Sequence, residues 1–251
     1  MASLILRTQG GFANRVRAII SAALWAEDLG RKLVVYWPVE VGHMPCALDE
    51  ILVPDSVPGL CCFHNGYPGK SHQVLSEIDM KSMIELFGND PEIRIDSYSN
   101  FHRECATARG LCLLRQLRIR PELEGMADTL WKQCKGRTNW LAVHVRGADH
   151  VKCLQASPVT AFVERLRGER GQILLCTDEP TAVEALGDVG GDRIHMPVTI
   201  HSRYTKEAQA LGIIDWLLLQ KCSRILVSAG SSFSELAALR SGAELEVIQA
   251  Q

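Results

Sequence analysis

The stretch SLILRTQGGFANRVRAIISAALWAEDLGRKLVVYW, residues 3–37, decides the fold. Its first residues, 3–7, form a short apolar run that stops just before a pair of glycines. Apolar side chains then recur at helical spacing between residues 14 and 29, and Gly30 ends this predicted helix. The segment 32–37 has the composition of a buried strand. A strand, a helix and a second strand in this order, with a glycine-rich first turn, predict a parallel sheet covered by helices.

The same alternation returns after residue 139 and continues almost to the end of the chain. We predict strands at 140–146, 172–177, 193–196, 224–228 and 244–248, with helices at 158–167, 181–186, 207–220 and 232–239. Between the two regular regions, residues 41–99 are punctuated by prolines and predict only short strands, whereas 106–131 is largely helical with an interruption near Pro121. We therefore expect two Rossmann-like α/β domains, 1–136 and 137–251, with the boundary in the polar segment 133–138.

The composition excludes several classes of protein. The chain has 251 residues, of which 47% are apolar and 22% are charged, as is typical of a globular protein. A formal charge of −2 argues against a general nucleic-acid binder. No apolar run reaches the roughly 18 to 20 residues of a membrane span, and the N-terminus has no export signal, so we expect a cytoplasmic protein. The nine cysteines follow no metal-binding spacing, which predicts reduced thiols and no metal cluster.

The most informative strand is LAVHVRG, residues 141–147. Because side chains alternate between the two faces of a strand, His144 and Arg146 share one face at its carboxyl end. Ligands of Rossmann-like sheets gather beyond the carboxyl ends of the strands, and an arginine fork suits a phosphate group. Asp149 follows within the same turn, and a surface ion pair between Arg146 and Asp149 is the alternative interpretation.

Two glycine-containing turns are weaker signals. The turn at Gly10 and Gly11 follows neither the dinucleotide-binding nor the Walker pattern, and it suits a closely approaching ligand and a plain tight turn equally well. Near the end of the chain, VSAGSSFSEL (227–236) places a strand before a Gly/Ser loop that opens a helix. Such a helix terminus suits an anion, although Ser232 and Glu235 also fit an ordinary capping box.

In combination, these motifs resemble the fucosyltransferase superfamily with the GT-B fold. The group includes the protein O-fucosyltransferases, the core α-1,6-fucosyltransferases and the bacterial nodulation fucosyltransferases. The matching segments keep the order of the family: GGFANR (10–15), HVRGADH (144–150), LCTDEP (175–180), GIIDWLLL (212–219) and SAGSSFS (228–234). The resemblance implies an α/β protein of GT-B type, with two Rossmann-like domains whose parallel sheets face a cleft.

The resemblance also implies a role for each motif. Arg146 would hold the donor diphosphate and stabilise the leaving nucleotide, with Asp149 as the candidate base. Asp215 would accept hydrogen bonds from guanine. The other donor-binding positions would be His144 at the nucleoside, Ser231, Ser232 and Phe233 at the phosphates, and Thr177 and Asp178 along the same cleft. Four residues would come from the opposite domain, near the acceptor and the diphosphate: Gly10, Gly11, Asn14 and Arg15.

We therefore predict an inverting, metal-independent glycosyltransferase that moves a sugar, fucose from GDP-fucose, onto a glycan or another hydroxyl acceptor. No Asp-x-Asp metal motif is present, so no cofactor is expected. Residues 152–155 (KCLQ) lack the carboxylate that core α-1,6-fucosyltransferases carry after their His-x-Arg motif, which leaves Asp149 as the base. The alternatives are a relative that uses another nucleotide sugar, such as UDP-xylose, and a non-catalytic nucleotide- or glycan-binding module. The missing Gly-x-Gly-x-x-Gly pattern disfavours a Rossmann oxidoreductase.

Overall fold

The computed structural model describes residues 2–40, 43–62, 69–102, 105–134, 140–147, 151–198 and 204–250. Packing divides the chain into two compact units, Met1–Arg120 and Pro121–Gln251. Each unit is built on one five-stranded sheet, and the paired strands of both sheets are parallel. The predicted α/β class with two parallel sheets is therefore confirmed.

The first unit contains β1 (Ser3–Thr8), β2 (Lys32–Tyr36), β3 (Leu60–Cys62), β4 (His72–Gln73) and β5 (Glu92–Ser97). Their order across the sheet is β3-β2-β1-β5-β4. The helices of this unit are α1 (Phe12–Asp28), α2 (Leu48–Ile51), α3 (Glu77–Phe87) and α4 (Ala108–Gln116), with a 3-10 helix at Pro54–Ser56. Because the strands are parallel, their carboxyl ends lie at one edge, and the Gly10 turn follows β1 at that edge.

Helix α1 is the central packing element of the first unit. Every residue from Ala18 to Ala26 is buried, as expected for a helix that is apolar nearly all round. The Trp25 ring meets the Phe101 ring edge to face, with centroids 5.8 Å apart. Just past the helix end, Gly30 adopts a left-handed conformation with φ 61°, so the predicted end of the helix at this glycine is confirmed.

The second unit contains β6 (Trp140–Val145), β7 (Gln172–Thr177), β8 (Ile194–His195), β9 (Arg224–Ser228) and β10 (Glu244–Ile248). Their order across the sheet is β10-β9-β6-β7-β8. The chain therefore runs outward from β6 to β8, returns to the other side of β6 and continues through β9 to β10. This is the strand order of a Rossmann sheet, whose switch point lies here between β6 and β9.

Helices lie on both faces of the second sheet. They are α5 (Pro121–Gln133), α6 (Val151–Ala156), α7 (Val159–Leu166), α8 (Pro180–Gly190), α9 (Lys206–Leu219) and α10 (Ser232–Ser241), with a 3-10 helix at Gly191–Arg193. On one face, Val143 and Leu175 pack with Phe162 of α7 and Leu186 of α8 in an apolar core. On the other face, His144 contacts α10. The alternation of β6 thus separates the polar His144 from the apolar core.

Helix α5 belongs to the second unit by its packing. It packs against α9, and the Lys221 ammonium lies 2.6 Å from a carboxylate oxygen of Asp128 on α5. The boundary predicted after residue 136 places α5 in the first domain, whereas the packing places it in the second unit. The polar segment 133–138 thus begins at the last residue of α5, a helix that packs in the second unit. Among the described residues, no helix is both long and apolar enough to cross a membrane.

Candidate functional site

His144 lies at the carboxyl end of the central strand, beside the switch point. Only 7% of its surface is exposed, and its Nδ1 atom is 3.1 Å from Ser234 Oγ and 3.4 Å from Ser231 Oγ. The His144 ring also packs against the Phe233 ring, with centroids 5.3 Å apart. Three of the predicted donor-binding residues, His144, Ser231 and Phe233, therefore lie together, and their roles stay predictions.

Arg146, just past the end of β6, is held from both neighbouring strands. Its backbone N–H donates to Ser228 Oγ at the end of β9, over 3.0 Å. On the other side, the Asp178 carboxylate accepts the backbone N–H of Gly147 over 2.8 Å and lies 3.6 Å from Arg146 Nη1. The Arg146 side chain is 18% exposed. A partly desolvated cation at the switch point of a Rossmann sheet favours an anion such as a phosphate group.

Thr177 ties the ends of two neighbouring strands together. Its hydroxyl donates to the Val145 carbonyl over 2.9 Å and accepts the Glu179 backbone N–H over 3.0 Å. The residue is buried. Both partners are backbone groups, so Thr177 stabilises the loop after β7. Its predicted contact with the donor stays a prediction.

Gly147 makes room for the side chain of Glu179. A Cβ atom at position 147 would lie 2.3 Å from Glu179 Cβ and 2.6 Å from Glu179 Oε2. Glu179 is fixed in turn, because it is the N-cap residue of α8 and its Oε1 atom accepts the Thr181 hydroxyl over 2.8 Å. The turn after HVR therefore needs glycine for close approach.

We expect Gly147→Ala to destabilise the protein by about 1 to 3 kcal/mol, because the added methyl group overpacks the turn against Glu179. Thermal unfolding measures this loss. Gly125→Ala is the matched control, since Gly125 lies inside α5 and a Cβ atom there meets nothing within 4 Å. The control should stabilise slightly, because alanine is the better helix former. An unchanged melting temperature for Gly147→Ala would contradict the close approach.

Asp215 is a deeply buried carboxylate on α9. Only 3% of its surface is exposed, and it accepts a hydrogen bond from the Cys176 thiol of β7. Burial raises the pKa of Asp215 well above its usual range; the Cys176 hydrogen bond opposes this shift and the charge of Asp178 adds to it. The Oδ1 atom of Asp215 has no hydrogen-bond partner within the described part of the chain. A buried acceptor without a donor is an open position for an N–H group of a ligand.

The raised pKa of Asp215 makes stability depend on pH. The unfolded chain releases this proton near the ordinary pKa of 3.8, whereas the folded protein retains it to higher pH. The contribution of this group to stability is therefore fully present below pH 3.8 and is lost as the pH rises toward the raised pKa. We expect the melting temperature of Asp215→Asn, relative to wild type, to rise as the pH increases above 3.8, because asparagine does not ionise. If the melting temperatures of the two proteins change with pH in the same way, the pKa of Asp215 is not raised by folding.

Arg15, in the first unit, is fully buried. Its Nε atom donates to the Gly10 carbonyl over 2.7 Å, Nη1 to the Pro38 carbonyl over 2.7 Å, and Nη2 to Glu40 Oε2 over 3.3 Å. The guanidinium also lies over the Trp37 ring, 4.9 Å from its centroid. Burial lowers the pKa of Arg15 to about 10, although the charge of Glu40 opposes this. Arg15 thus holds the glycine turn in place, and its predicted place near the acceptor and the diphosphate stays a prediction.

The other predicted positions fall as follows. Gly10 has a left-handed backbone with φ 73°, and a Cβ atom there would lie 3.3 Å from Asn14 Nδ2. Gly11 is the N-cap residue of α1, and Ser232 is the first residue of α10. Asp149 lies outside the described residues, so its role as base stays a prediction.

Ser228, Cys176 and Glu179 lie inside the matching segments SAGSSFS and LCTDEP, but no role is predicted for them. Each contacts a predicted site residue: Ser228 contacts Arg146, Cys176 contacts Asp215, and Glu179 contacts Thr177. Their place at the carboxyl ends of the strands beside the switch point could have marked them. In the described ranges, no group of three or more His, Cys, Asp or Glu side chains could hold a metal ion.

This is an α/β protein with a GT-B-like fold. It combines a Rossmann sheet, which carries the candidate site at its switch point, with a second parallel sheet. Solved structures that share this fold include fucosyltransferases. NodZ from Bradyrhizobium is 18% identical with a TM-score of 0.66, over 94% of this chain and 92% of that chain. A variant of Arabidopsis thaliana FUT1 in complex with GDP is 11% identical with a TM-score of 0.68, over 98% of this chain and 70% of that chain. POFUT1 in complex with GDP-fucose is 12% identical with a TM-score of 0.59, over 98% of each chain.

The likeness lies in three-dimensional structure. No protein-family model and no curated protein matches the chain by sequence. At these identities the structural likeness establishes the fold, and it confirms the GT-B-like architecture that the resemblance implies.

Proposed function

We propose that this chain is an inverting glycosyltransferase that transfers fucose from GDP-fucose to a glycan or another hydroxyl acceptor. The observation that carries the proposal is the place of Arg146, a partly buried cation at the switch point of a Rossmann sheet, where such sheets bind their ligands. Fucosyltransferases of the same fold that have been solved with GDP or GDP-fucose support it.

In this mechanism Arg146 pairs with the donor diphosphate. Negative charge on the β-phosphate grows as the bond between the sugar and that phosphate breaks, so a fixed cation stabilises the transition state more than the bound donor. The first backbone N–H groups of α10 add donors for the phosphates. The acceptor hydroxyl attacks the anomeric carbon from the side opposite the diphosphate, which inverts its configuration, and Asp149 is our candidate for the base that takes its proton.

Asp215 would select the base of the donor. An ionised carboxylate accepts the N1–H and the exocyclic amine of guanine, whereas it would repel the carbonyl edge of uracil. The unpartnered Oδ1 atom supports this role, and the guanine N–H groups would favour the ionised form of the carboxyl. His144 would contact the nucleoside, and Phe233, whose ring packs against His144, would belong to the loop at the phosphates. A UDP-linked sugar such as UDP-xylose is the alternative donor.

A thermal-shift screen followed by a turnover assay tests the proposal. A ligand that binds the folded protein raises its melting temperature, so GDP and GDP-fucose should raise it more than UDP and UDP-xylose. Release of GDP from GDP-fucose, with a panel of glycan acceptors, then measures transfer. Binding of GDP without release under any acceptor would favour the non-catalytic module, and a larger shift with UDP would contradict the choice of donor.

Activity should persist in EDTA. In this proposal the charge of the diphosphate is neutralised by Arg146, and the sequence offers no Asp-x-Asp pair, whereas magnesium beside a phosphate is normally held by one or two carboxylates. Turnover measured before and after chelation, and again with added manganese, checks this. A complete loss in EDTA that manganese restores would count against a metal-independent mechanism.

A further inference from the structure

Two side chains from the strands on either side of β6 fix the backbone around Arg146. Ser228, from β9, is completely buried, and its hydroxyl oxygen accepts the Arg146 N–H over 3.0 Å. Asp178, directly after β7, accepts the Gly147 N–H over 2.8 Å through Oδ1. The peptide groups before and after the Arg146 Cα atom are therefore both held, and the direction in which the side chain leaves the sheet is set with them.

Asp178 also acts on the guanidinium itself. Its second oxygen, Oδ2, lies 3.6 Å from Arg146 Nη1, and the Asp178 side chain is only 14% exposed. This separation is longer than a direct hydrogen bond, but it is close enough for attraction between opposite charges that are partly shielded from water. One carboxylate thus restrains both the backbone and the long side chain at the same position.

Ser228 is fixed in turn by the loop that opens α10. Its carbonyl accepts the Ser231 N–H over 3.2 Å, and the N–H of the next residue, Ala229, donates to Ser157 Oγ over 2.7 Å. Ser157 is completely buried. Arg146 and the α10 loop are therefore anchored to the same serine, so they keep a fixed relation to each other.

We propose that Asp178 and Ser228 are positioning residues for Arg146, and that Asp178 serves the arginine rather than the donor. This inference rests on the proposed function, because it gives Arg146 a diphosphate to face. A carboxylate beside a diphosphate repels it unless a cation lies between them, and the pairing of Asp178 with Arg146 meets this condition. Loss of either restraint leaves Arg146 present but no longer held in the direction that the phosphate needs.

A double-mutant cycle tests this inference. We expect Asp178→Asn and Ser228→Ala each to lower kcat with GDP-fucose by about tenfold or more, because a displacement of about 1 Å near the reacting groups costs about 100-fold. The exposed α8 variant Asp188→Asn is the control and should leave kcat unchanged. In an Arg146→Ala background, Asp178→Asn should change kcat by less than about twofold, since the group that it positions is gone. If Asp178→Asn lowers kcat by the same factor in the Arg146→Ala background as in wild type, the two residues act independently and the proposal is overturned.

A second readout needs no turnover, so it separates this inference from the proposed function. NMR of the arginine side-chain Nε–H groups reports how well each guanidinium is ordered in the ligand-free protein. We expect the Arg146 signal to lose order in Asp178→Asn and to stay unchanged in Asp188→Asn. An unchanged Arg146 signal in Asp178→Asn would overturn the positioning role. If the signal changes as expected while wild type shows neither GDP binding nor GDP release, the positioning role stands and the proposed function fails.

Discussion

Replacing Arg146 with alanine is expected to lower kcat for sugar transfer by about 100-fold or more, as removal of a single oxyanion donor does in other enzymes. The charge that Arg146 counters grows on the β-phosphate during bond breaking, so its contribution is larger in the transition state than in the bound donor. Arg146→Lys retains the charge but loses the planar fork, and we expect it to be badly impaired as well.

The same variants separate catalysis from stability. An exposed pair between Arg146 and Asp149 would contribute about 0 to 1 kcal/mol to stability and nothing to turnover. Measurement of kcat and melting temperature on one Arg146→Ala preparation distinguishes the two cases. Arg165→Ala is the control, because Arg165 pairs with Glu246 away from the site and its loss should affect stability rather than kcat. Near-normal turnover in a folded Arg146→Ala protein would defeat the mechanism.

Asp215→Asn is expected to weaken GDP binding by about 1 to 3 kcal/mol, the discrimination that a bidentate contact to a base edge provides. The variant keeps the size of the side chain but replaces one acceptor oxygen with a donor, which then faces the N–H groups of guanine. UDP binding should change little, as should GDP binding by the control variant Asp188→Asn. Calorimetric titration with both nucleotides measures the difference. A wild type that binds UDP more tightly than GDP would show that Asp215 does not read guanine.

Most strands of the second unit could be predicted to the residue. Strands β7, β9 and β10 begin and end where the sequence places them. Strands β7 and β9 are short apolar runs, whereas β10 (ELEVI) begins with the alternation of polar and apolar residues that is typical of a strand. Strand β6 ends at Val145 rather than at the predicted Arg146, since the Arg146 N–H bonds to a serine side chain instead of a strand carbonyl. The short strands expected in 41–99 are confirmed for β3 and β4, whereas β5 in the same range has six residues and is as long as β6.

The existence, the ends and the domain membership of helices are harder to predict where tertiary packing, rather than the local sequence pattern, determines them. Helix α6 was not predicted, because Cys153 is its only buried residue and it shows no apolar stripe. Helix α8 continues to Gly190, beyond its predicted end at Leu186, although Gly187 favours a helix end. The local sequence of α5 does not indicate that it packs in the second unit, because its packing partner α9 is distant in sequence.

The candidate site was predictable in position but not in the direction of its side chains. Parallel strands bring His144 and the α10 loop to one edge, which the strand order alone implies. Sequence could not show that Arg15 points inward to the ends of β1 and β2, or that Asp178 faces Arg146. The depth of Asp215 likewise depends on how α9 packs against β7, which no local pattern encodes.

Strand β6 is buried along its whole length and has a hydrogen-bonded neighbour on each side. Its amides can exchange with solvent only when β7 or β9 separates from it, and such openings cost nearly the full free energy of unfolding. The edge strands β8 and β10 can fray at much lower cost. Arg146, one residue past the end of β6, is therefore attached to the part of the second unit with the highest free energy of opening. We therefore expect heat or denaturant to displace Arg146 only in the cooperative transition in which the second sheet unfolds.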